Sequence, residues 1–535
     1  MKRSGQTVLD RWFVGAAAAA LGGSLALASP AAAKDCAQMA GQALPQGKVT
    51  AATLVPAGEF KLAPTAGGPP PGVAASGFKT LPAFCRIQAT LTPTPDSDIK
   101  VEVWMPASGW NGKFVGIGNG VWAGTISYFE LGAPLSRGYA VAATDTGHTG
   151  NGLSADWAVG HPEKLTDFGY RAVHDMTVAA KAAVTDFYGS GPKLSFWNSC
   201  STGGRQGLME AYRFPDDYDA ISAMAPANPM TDLMTQSLWT GYQAVRAPGA
   251  SLTPAKMAAL HKAYIEQCDA LDGLKDGIVS APRACKFDPV VAQCKAGDAA
   301  DCLTADQVQT MRAVYDGVRD PKTGKQLFAG FPPGSELQVA LLMSGPEPFP
   351  VATSYMRLLV FGDQKGWDFR KFDYGADAAK ARAYGVQMLD APATGLDKFF
   401  ARGGKLLLSH GWTDGLIPAN NTVAYYETLS SGLSAKQKQS QLRLFMVPGM
   451  NHCSGGEGPS AIDTLGAIDQ WATGGAAPDR LIAARNPGPP GAPGPQPTPI
   501  TRPLCPYPAV ARYKGEGPTD KAESFACAAP PTTKG

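Results

Sequence analysis

The sequence predicts an α/β fold, a mainly parallel sheet covered by helices and interrupted by a large insertion. Three observations carry this. Short apolar runs alternate with helical spacing over residues 35–228, a pattern that builds parallel sheets. The alternation lapses from about 229 to 395 and then resumes. Between one strand-like run and one helix-like run stands Asn198-Ser199-Cys200-Ser201-Thr202-Gly203-Gly204-Arg205-Gln206-Gly207. A serine placed this way, followed by small residues, has the layout of a nucleophile elbow.

The chain opens with a targeting pattern. Lys2, Arg3 and Arg11 are basic, Phe13 to Ala28 is apolar and alanine-rich, and Pro30-Ala31-Ala32-Ala33 offers a cleavage site. Residues 1–33 therefore read as a secretory signal peptide, too short and wrongly flanked for a membrane anchor. No later stretch is long and apolar enough to span a bilayer, so the expected location is secreted or periplasmic. The net charge of +2 and the lack of a dense basic tract argue against nucleic acid or anionic membranes as partners.

The first part of the core spans 34–228. Ile99 to Met105 alternates and reads as a strand; so do Lys113 to Ile117, Tyr139 to Thr144 and Lys193 to Trp197. Tyr170 to Tyr188 has helical spacing, with Val173, Met176, Thr177, Ala180 and Val184 on one face. Residues 229–395 contain helical pieces, four cysteines and Pro/Gly breaks, and read as an inserted domain. The second part of the core, 396–535, brings strands at Lys405 to Ser409 and Leu442 to Val447, then a Pro/Gly-rich stretch at 486–500 and a tail.

Asp414 and His452 each lie just past one of these later strands. With Ser201 they give the order Ser, Asp, His, the chain order of an α/β-hydrolase triad. Parallel sheets place their working loops at the carboxyl ends of strands, so the three can converge. Ser201 would attack a carbonyl, His452 would take and return its proton, and Asp414 would hold the imidazole tautomer. The same residues would also suit a Ser/Gly-rich turn, a loop histidine and an Asp-Gly turn. His410 and His148 are rival bases, but His410 precedes the acid by four residues and His148 precedes the nucleophile.

Ten cysteines in an exported chain favour five disulfides. Proximity pairs Cys268 with Cys285, Cys294 with Cys302 and Cys505 with Cys527. Cys200 immediately precedes Ser201 and Cys453 immediately follows His452. If those two residues hydrogen-bond, their neighbours are close enough to bridge. Cys36 and Cys85 then pair by elimination.

Taken together, Cys200-Ser201, Asp414 and His452-Cys453 resemble the Cys-Ser/Asp/His-Cys arrangement of the tannase and feruloyl esterase family, which also includes mono(2-hydroxyethyl) terephthalate hydrolases. Trp110-Asn111-Gly112-Lys113-Phe114, Gly118-Asn119-Gly120, the run from Cys200 to Gly207, and Arg502-Pro503-Leu504-Cys505-Pro506-Tyr507-Pro508 extend the resemblance over most of the mature chain. It implies an α/β-hydrolase core, a lid between the nucleophile and acid strands, and hydrolysis of small esters of aromatic acids. It also implies an oxyanion hole from the amides of Thr202 and Gly120. Relatives often carry Gly-Asn-Gly-Gly here, whereas this chain has Val121 at the last position.

In the insertion, Asp269, Asp272 and Asp276 stand three and four apart among glycines. Such a loop can wrap a hard cation in oxygen ligands, or be a solvated Asp-Gly turn. The resemblance implies a structural calcium ion held by these three side chains and by backbone oxygens of Leu274 and Ile278. No organic cofactor is expected. Trp367 and Ile417 are candidate substrate contacts; a tryptophan in that setting equally suits a core. The expected activity is that of an exported serine carboxylesterase acting on feruloyl, galloyl or terephthalate half-esters. Aliphatic esters and a non-catalytic calcium-binding role are the alternatives.

Overall fold

A computed structural model describes residues 33–62, 77–363, 366–486 and 498–531. The expected signal peptide, except Ala33, and most of the Pro/Gly-rich stretch fall outside them.

The first strands are β1 (Ala43–Leu44), β2 (Gly47–Val55), β3 (Phe84–Leu91), β4 (Ile99–Pro106) and β5 (Lys113–Ile117). They are followed by β6 (Trp122–Gly124), β7 (Ala140–Thr144), β8 (Gly150–Gly152), β9 (Leu194–Cys200), β10 (Ala220–Met224), β11 (Lys405–Gly411) and β12 (Leu442–Val447). Ten of them form one sheet in the order β1-β2-β3-β4-β7-β5-β9-β10-β11-β12, while β6 and β8 pair separately. From β7 to β12 every neighbouring pair is parallel; from β1 to β4, and between β4 and β7, the pairs are antiparallel. This is the α/β-hydrolase arrangement that the chain order suggested.

The parallel strands read as continuous apolar runs because helices cover both faces. Side chains alternate between the two layers. Leu406 and Leu408 of β11 join one core with Trp197, Ile221 and Leu444, against the helices Ala172–Tyr188 and Thr202–Arg213. Leu407 joins the other with Phe196, Phe445 and Val447, against the helices Tyr128–Ser136 and Thr464–Gly474. Each fully buried leucine of this kind stabilises the fold by about 1.5–3 kcal/mol.

Between β10 and β11, residues 225–404 contribute no strand to the main sheet among the described residues. They carry helices instead, including Met230–Val245, Pro254–Cys268, Ala305–Asp316, Glu336–Met343 and Ala376–Leu389. One cluster of buried apolar residues lies wholly within this region, and another packs it onto Trp122, Phe168 and Ile417. The region read as an insertion, 229–395, falls inside these limits. The five disulfides are Cys36–Cys85, Cys200–Cys453, Cys268–Cys285, Cys294–Cys302 and Cys505–Cys527. No helix of the described residues is long and apolar enough to cross a membrane.

Candidate active site

Ser201 sits between β9 and the helix Thr202–Arg213 with φ 63° and ψ −125°. Non-glycine residues seldom adopt positive φ, and the surroundings hold this one in place. The Ser201 amide donates to the Met224 carbonyl (3.0 Å), and its own carbonyl accepts from Arg205 and Ala227 (both 3.0 Å). The glycines that follow allow the close approach. A Cβ on Gly203 would lie 2.0 Å from Ser199 Oγ, and one on Gly204 would lie 2.5 Å from the Met224 carbonyl oxygen.

His452 Nε2 lies 2.9 Å from Ser201 Oγ, and His452 Nδ1 lies 2.7 Å from Asp414 Oδ2. A carboxylate only accepts, so Nδ1 carries the proton and Nε2 faces the serine hydroxyl as an acceptor. Asp414 is fully buried. Its Oδ1 accepts from the Leu416 and Ile417 amides (2.8 and 2.9 Å). Its Oδ2 also accepts from His410 Nε2 at 3.0 Å. Burial alone would raise the Asp414 carboxyl, but the charge of His452 and the bonds from both histidines hold it below the usual carboxylate range. Burial works to lower His452; the charge and hydrogen bond of Asp414 outweigh it and raise its pKa.

The rival bases have other tasks. His410 is buried, its Nδ1 accepts from the Thr422 hydroxyl at 2.7 Å, and it braces Asp414 from behind. His148 stacks on Trp157 (ring centroids 3.7 Å apart) and its Nε2 reaches the Trp122 carbonyl at 2.8 Å. Burial lowers its pKa to about 4.

The loop carrying Gly120 is tied to the elbow. Ser199 Oγ accepts from the Gly118 amide (3.2 Å), Gln206 Oε1 from the Asn119 amide (3.0 Å), and the Asn119 carbonyl from the Gly203 amide (2.8 Å). Thr202 Oγ1 donates to the Val121 carbonyl at 2.9 Å. A Cβ on Gly120 would meet nothing within 4 Å, so space opens there. Val121 itself holds φ 45°, a region costly for a β-branched residue. The Thr202 amide opens the helix, where backbone donors and the helix dipole favour negative charge.

The Cys200–Cys453 bridge, with its Cα atoms 5.9 Å apart, covalently joins the residues beside Ser201 and His452. One further clamp escaped sequence reasoning. Gln338, on the helix Glu336–Met343 of the insertion, accepts through Oε1 from the His452 amide (2.9 Å) and the Gly415 amide (2.8 Å). The same helix is anchored by Glu336, which accepts from His261 Nδ1 (2.9 Å), while His261 Nε2 reaches Glu457 (2.8 Å) past the base loop. No periodicity or motif marks such a residue.

Ile417 is buried, with its backbone in the Asp414 turn and its side chain in the apolar cluster that includes Trp122, Tyr355 and Leu359. Trp367 packs at the edge of the same cluster, 6.0 Å from the Phe361 ring.

The acidic loop suits a cation. Asp269 and Asp272 are buried, and Asp269 Oδ1 has no hydrogen-bond partner among the described residues. Asp269 Oδ2 accepts from the Gly277 amide (3.0 Å), Asp272 Oδ2 from the Ser280 amide (2.9 Å) and Asp276 Oδ1 from the Ile278 amide (3.1 Å). Cys268–Cys285 closes the loop. A buried carboxylate oxygen without a donor is what an oxygen-ligated cation satisfies. The sequence did not signal that Asp276 also pairs with Arg502 of the tail.

Comparisons with known proteins point to one family. Residues 85–528 match the family described as Tannase and feruloyl esterase. An uncharacterized esterase of Xanthomonas campestris pv. campestris is 35% identical, over 95% of this chain and 93% of its own. A probable feruloyl esterase B-2 of Aspergillus terreus is 32% identical, over 90% of this chain and 93% of its own. Among solved structures, feruloyl esterase B from Aspergillus oryzae superposes with a TM-score of 0.83 at 31% identity, covering 92% of this chain and 99% of that one. Tannin acyl hydrolase from Aspergillus niger shares the fold, with a TM-score of 0.73 at 21% identity over 93% of this chain and 94% of that one. The chain therefore belongs to the tannase and feruloyl esterase family and is a carboxylic ester hydrolase.

Proposed function

We propose that this protein is an exported serine esterase that hydrolyses esters of aromatic hydroxyacids or related aromatic acids, such as feruloyl, galloyl or terephthalate half-esters. The observation that carries the reading is the Asp414–His452–Ser201 hydrogen-bond relay, at 2.7 and 2.9 Å, on a strained elbow. Ser201 Oγ attacks the ester carbonyl carbon as His452 Nε2 takes its proton. The alcohol leaves with that proton, and the acyl group stays on Ser201. Water, deprotonated by the same nitrogen, then attacks the acyl-enzyme, and the acid is released as that nitrogen returns the proton to Ser201 Oγ. Asp414 stabilises the imidazolium in both steps. The Thr202 and Gly120 amides donate to the oxyanion, a contribution of about 3–4 kcal/mol per donor in comparable sites.

The insertion acts as the lid. Ile417 and Trp367 supply apolar wall on its side of the site, in keeping with an aromatic acyl group. Asp269, Asp272 and Asp276, with the Leu274 and Ile278 carbonyls, hold a calcium ion that stiffens the lid and takes no part in catalysis. The amino-terminal pattern and the five disulfides support export to an oxidising compartment.

The test pairs a substrate panel with an active-site probe. Purified protein is assayed on methyl ferulate, methyl gallate, a terephthalate half-ester and aliphatic p-nitrophenyl esters. Turnover of the aromatic-acid esters should exceed that of the aliphatic ones. Ser201→Ala should lose several orders of magnitude in kcat and all labelling by a sulfonyl fluoride. Preference for aliphatic esters would overturn the substrate class, and labelling that persists in Ser201→Ala would overturn the nucleophile.

A further inference from the structure

A second group of ligating side chains lies outside the Ser201 relay. His174 belongs to the helix Ala172–Tyr188, Glu210 to the helix Thr202–Arg213, and Asp217 to the turn before β10. One ligand atom from each lies within 4.8 Å of the other two. His174 Nδ1 is 2.6 Å from Asp217 Oδ2. The His174 ring is held flat on Phe214, with centroids 3.7 Å apart and planes 9° apart.

Glu210 makes the cluster unusual. It is 1% exposed, and neither carboxylate oxygen meets a hydrogen-bond donor among the described residues. Lys181 does not neutralise it directly: its Nζ donates to the Asp217 carbonyl. Asp175 Oδ2, one residue from His174, is also buried without a partner. An ionised carboxylate cannot remain buried without a donor or a counter-charge. Something positive must lie between Glu210 and Asp217, either a metal ion or a shared proton.

We propose that His174, Glu210 and Asp217 form a binding site for a divalent transition metal of the zinc class. The donor set of one imidazole nitrogen and two carboxylates suits such an ion. It does not suit calcium, which takes six to eight oxygen ligands. Ligand atoms about 2.0–2.2 Å from a zinc-sized ion stand about 3.3–3.6 Å apart around a tetrahedron, so the cluster is of the right size once the His174–Asp217 hydrogen bond at 2.6 Å opens to admit the ion. Access is available, since the His174 and Asp217 side chains are 29% and 12% exposed. The ion would join the nucleophile helix to the neighbouring helix and to the turn before β10, so its role is structural.

The experiment uses the full mature chain, stripped with a chelator and kept in saturating calcium so that the acidic loop does not compete. Zinc chloride is titrated calorimetrically into wild type, Glu210→Gln and His174→Gln, and thermal melts are recorded with and without zinc. Wild type should bind one zinc per chain and melt at a higher temperature when loaded. Each variant should bind at least about tenfold more weakly. Cobalt(II) absorption provides a second readout if either variant folds poorly, because wild type should show the spectrum of a protein-ligated ion. Failure of wild type to bind zinc, with Glu210→Gln melting higher than wild type, would overturn the proposal in favour of a shared proton. Zinc binding unchanged in both variants would also overturn it, since the ion would then sit elsewhere.

Discussion

Gln338→Leu removes one acceptor and strands two donors. Gln338 Oε1 takes the amides of His452 at 2.9 Å and Gly415 at 2.8 Å, so a single side chain holds both the base loop and the acid loop. Leucine fills similar space without an oxygen. Each amide left without a partner costs about 1–3 kcal/mol, and both are only partly buried, so water recovers some of that. The expected loss of stability is about 2–4 kcal/mol. The kinetic effect should be larger than such a figure suggests. The His452 side chain holds Ser201 at 2.9 Å, and its backbone position is what Gln338 secures. Misplacement by about 1 Å costs on the order of a hundredfold in rate. The expected outcome is a fall in kcat of about tenfold to a hundredfold with a smaller change in KM. Steady-state kinetics on a turned-over aromatic ester, with thermal melts of the same samples, make the measurement. Gln338→Glu keeps an acceptor oxygen and should retain most of the stability. A Gln338→Leu protein with kcat within twofold of wild type and an unchanged melting temperature would refute the clamp.

Replacing Cys200 and Cys453 together by alanine should lower both melting temperature and kcat, because a bridge closing a separation of 253 residues is worth about 5 kcal/mol in loop-entropy terms; an unchanged melt of the double variant counts against it. The base works only when neutral, and His452 is raised above its ordinary value of 6.5. The acid limb of kcat/KM should therefore have its midpoint above that value, with activity lost as pH falls through it, and Asp414→Asn should move the limb down. If the acidic loop holds calcium as proposed, chelation of zinc-free protein should lower the melting temperature, and the Asp269→Ala, Asp272→Ala double variant, also zinc-free, should melt like the chelated protein and ignore the chelator; elemental analysis showing no calcium in the untreated protein would contradict this.

The parallel strands were legible because both of their faces are buried. Lys113–Ile117 and Leu442–Val447 match the apolar runs residue for residue, and Lys405–Gly411 extends its run by two. β10 was not singled out, since Ala220-Ile221-Ser222-Ala223-Met224 is short and half built of small residues. Nor were β2 and β3, whose solvent-facing positions break the apolar pattern at the antiparallel edge. The relay residues stood at strand ends, where fold class and chain order constrain position. Gln338 and the Asn119–Gln206 pair gain their roles only from tertiary proximity, across separations of 114 and 87 residues. The Arg502–Asp276 pair is of the same kind, joining residues 226 apart.

The bridge beside the active site also makes the chain from Cys200 to Cys453 a covalent ring, and the whole insertion lies within that ring. Opening a ring once does not divide it. A single proteolytic cut anywhere between residues 225 and 404 leaves one fragment ending beyond Cys200 and another beginning before Cys453, still joined through sulfur. The two halves of the sheet, and the serine and histidine they carry, then remain partners at intramolecular effective concentration instead of separating by dilution. A nicked molecule would run as one species on a non-reducing gel and as two after reduction. The insertion can thus be cut, and in descent lengthened or exchanged, without releasing either half of the relay from the other.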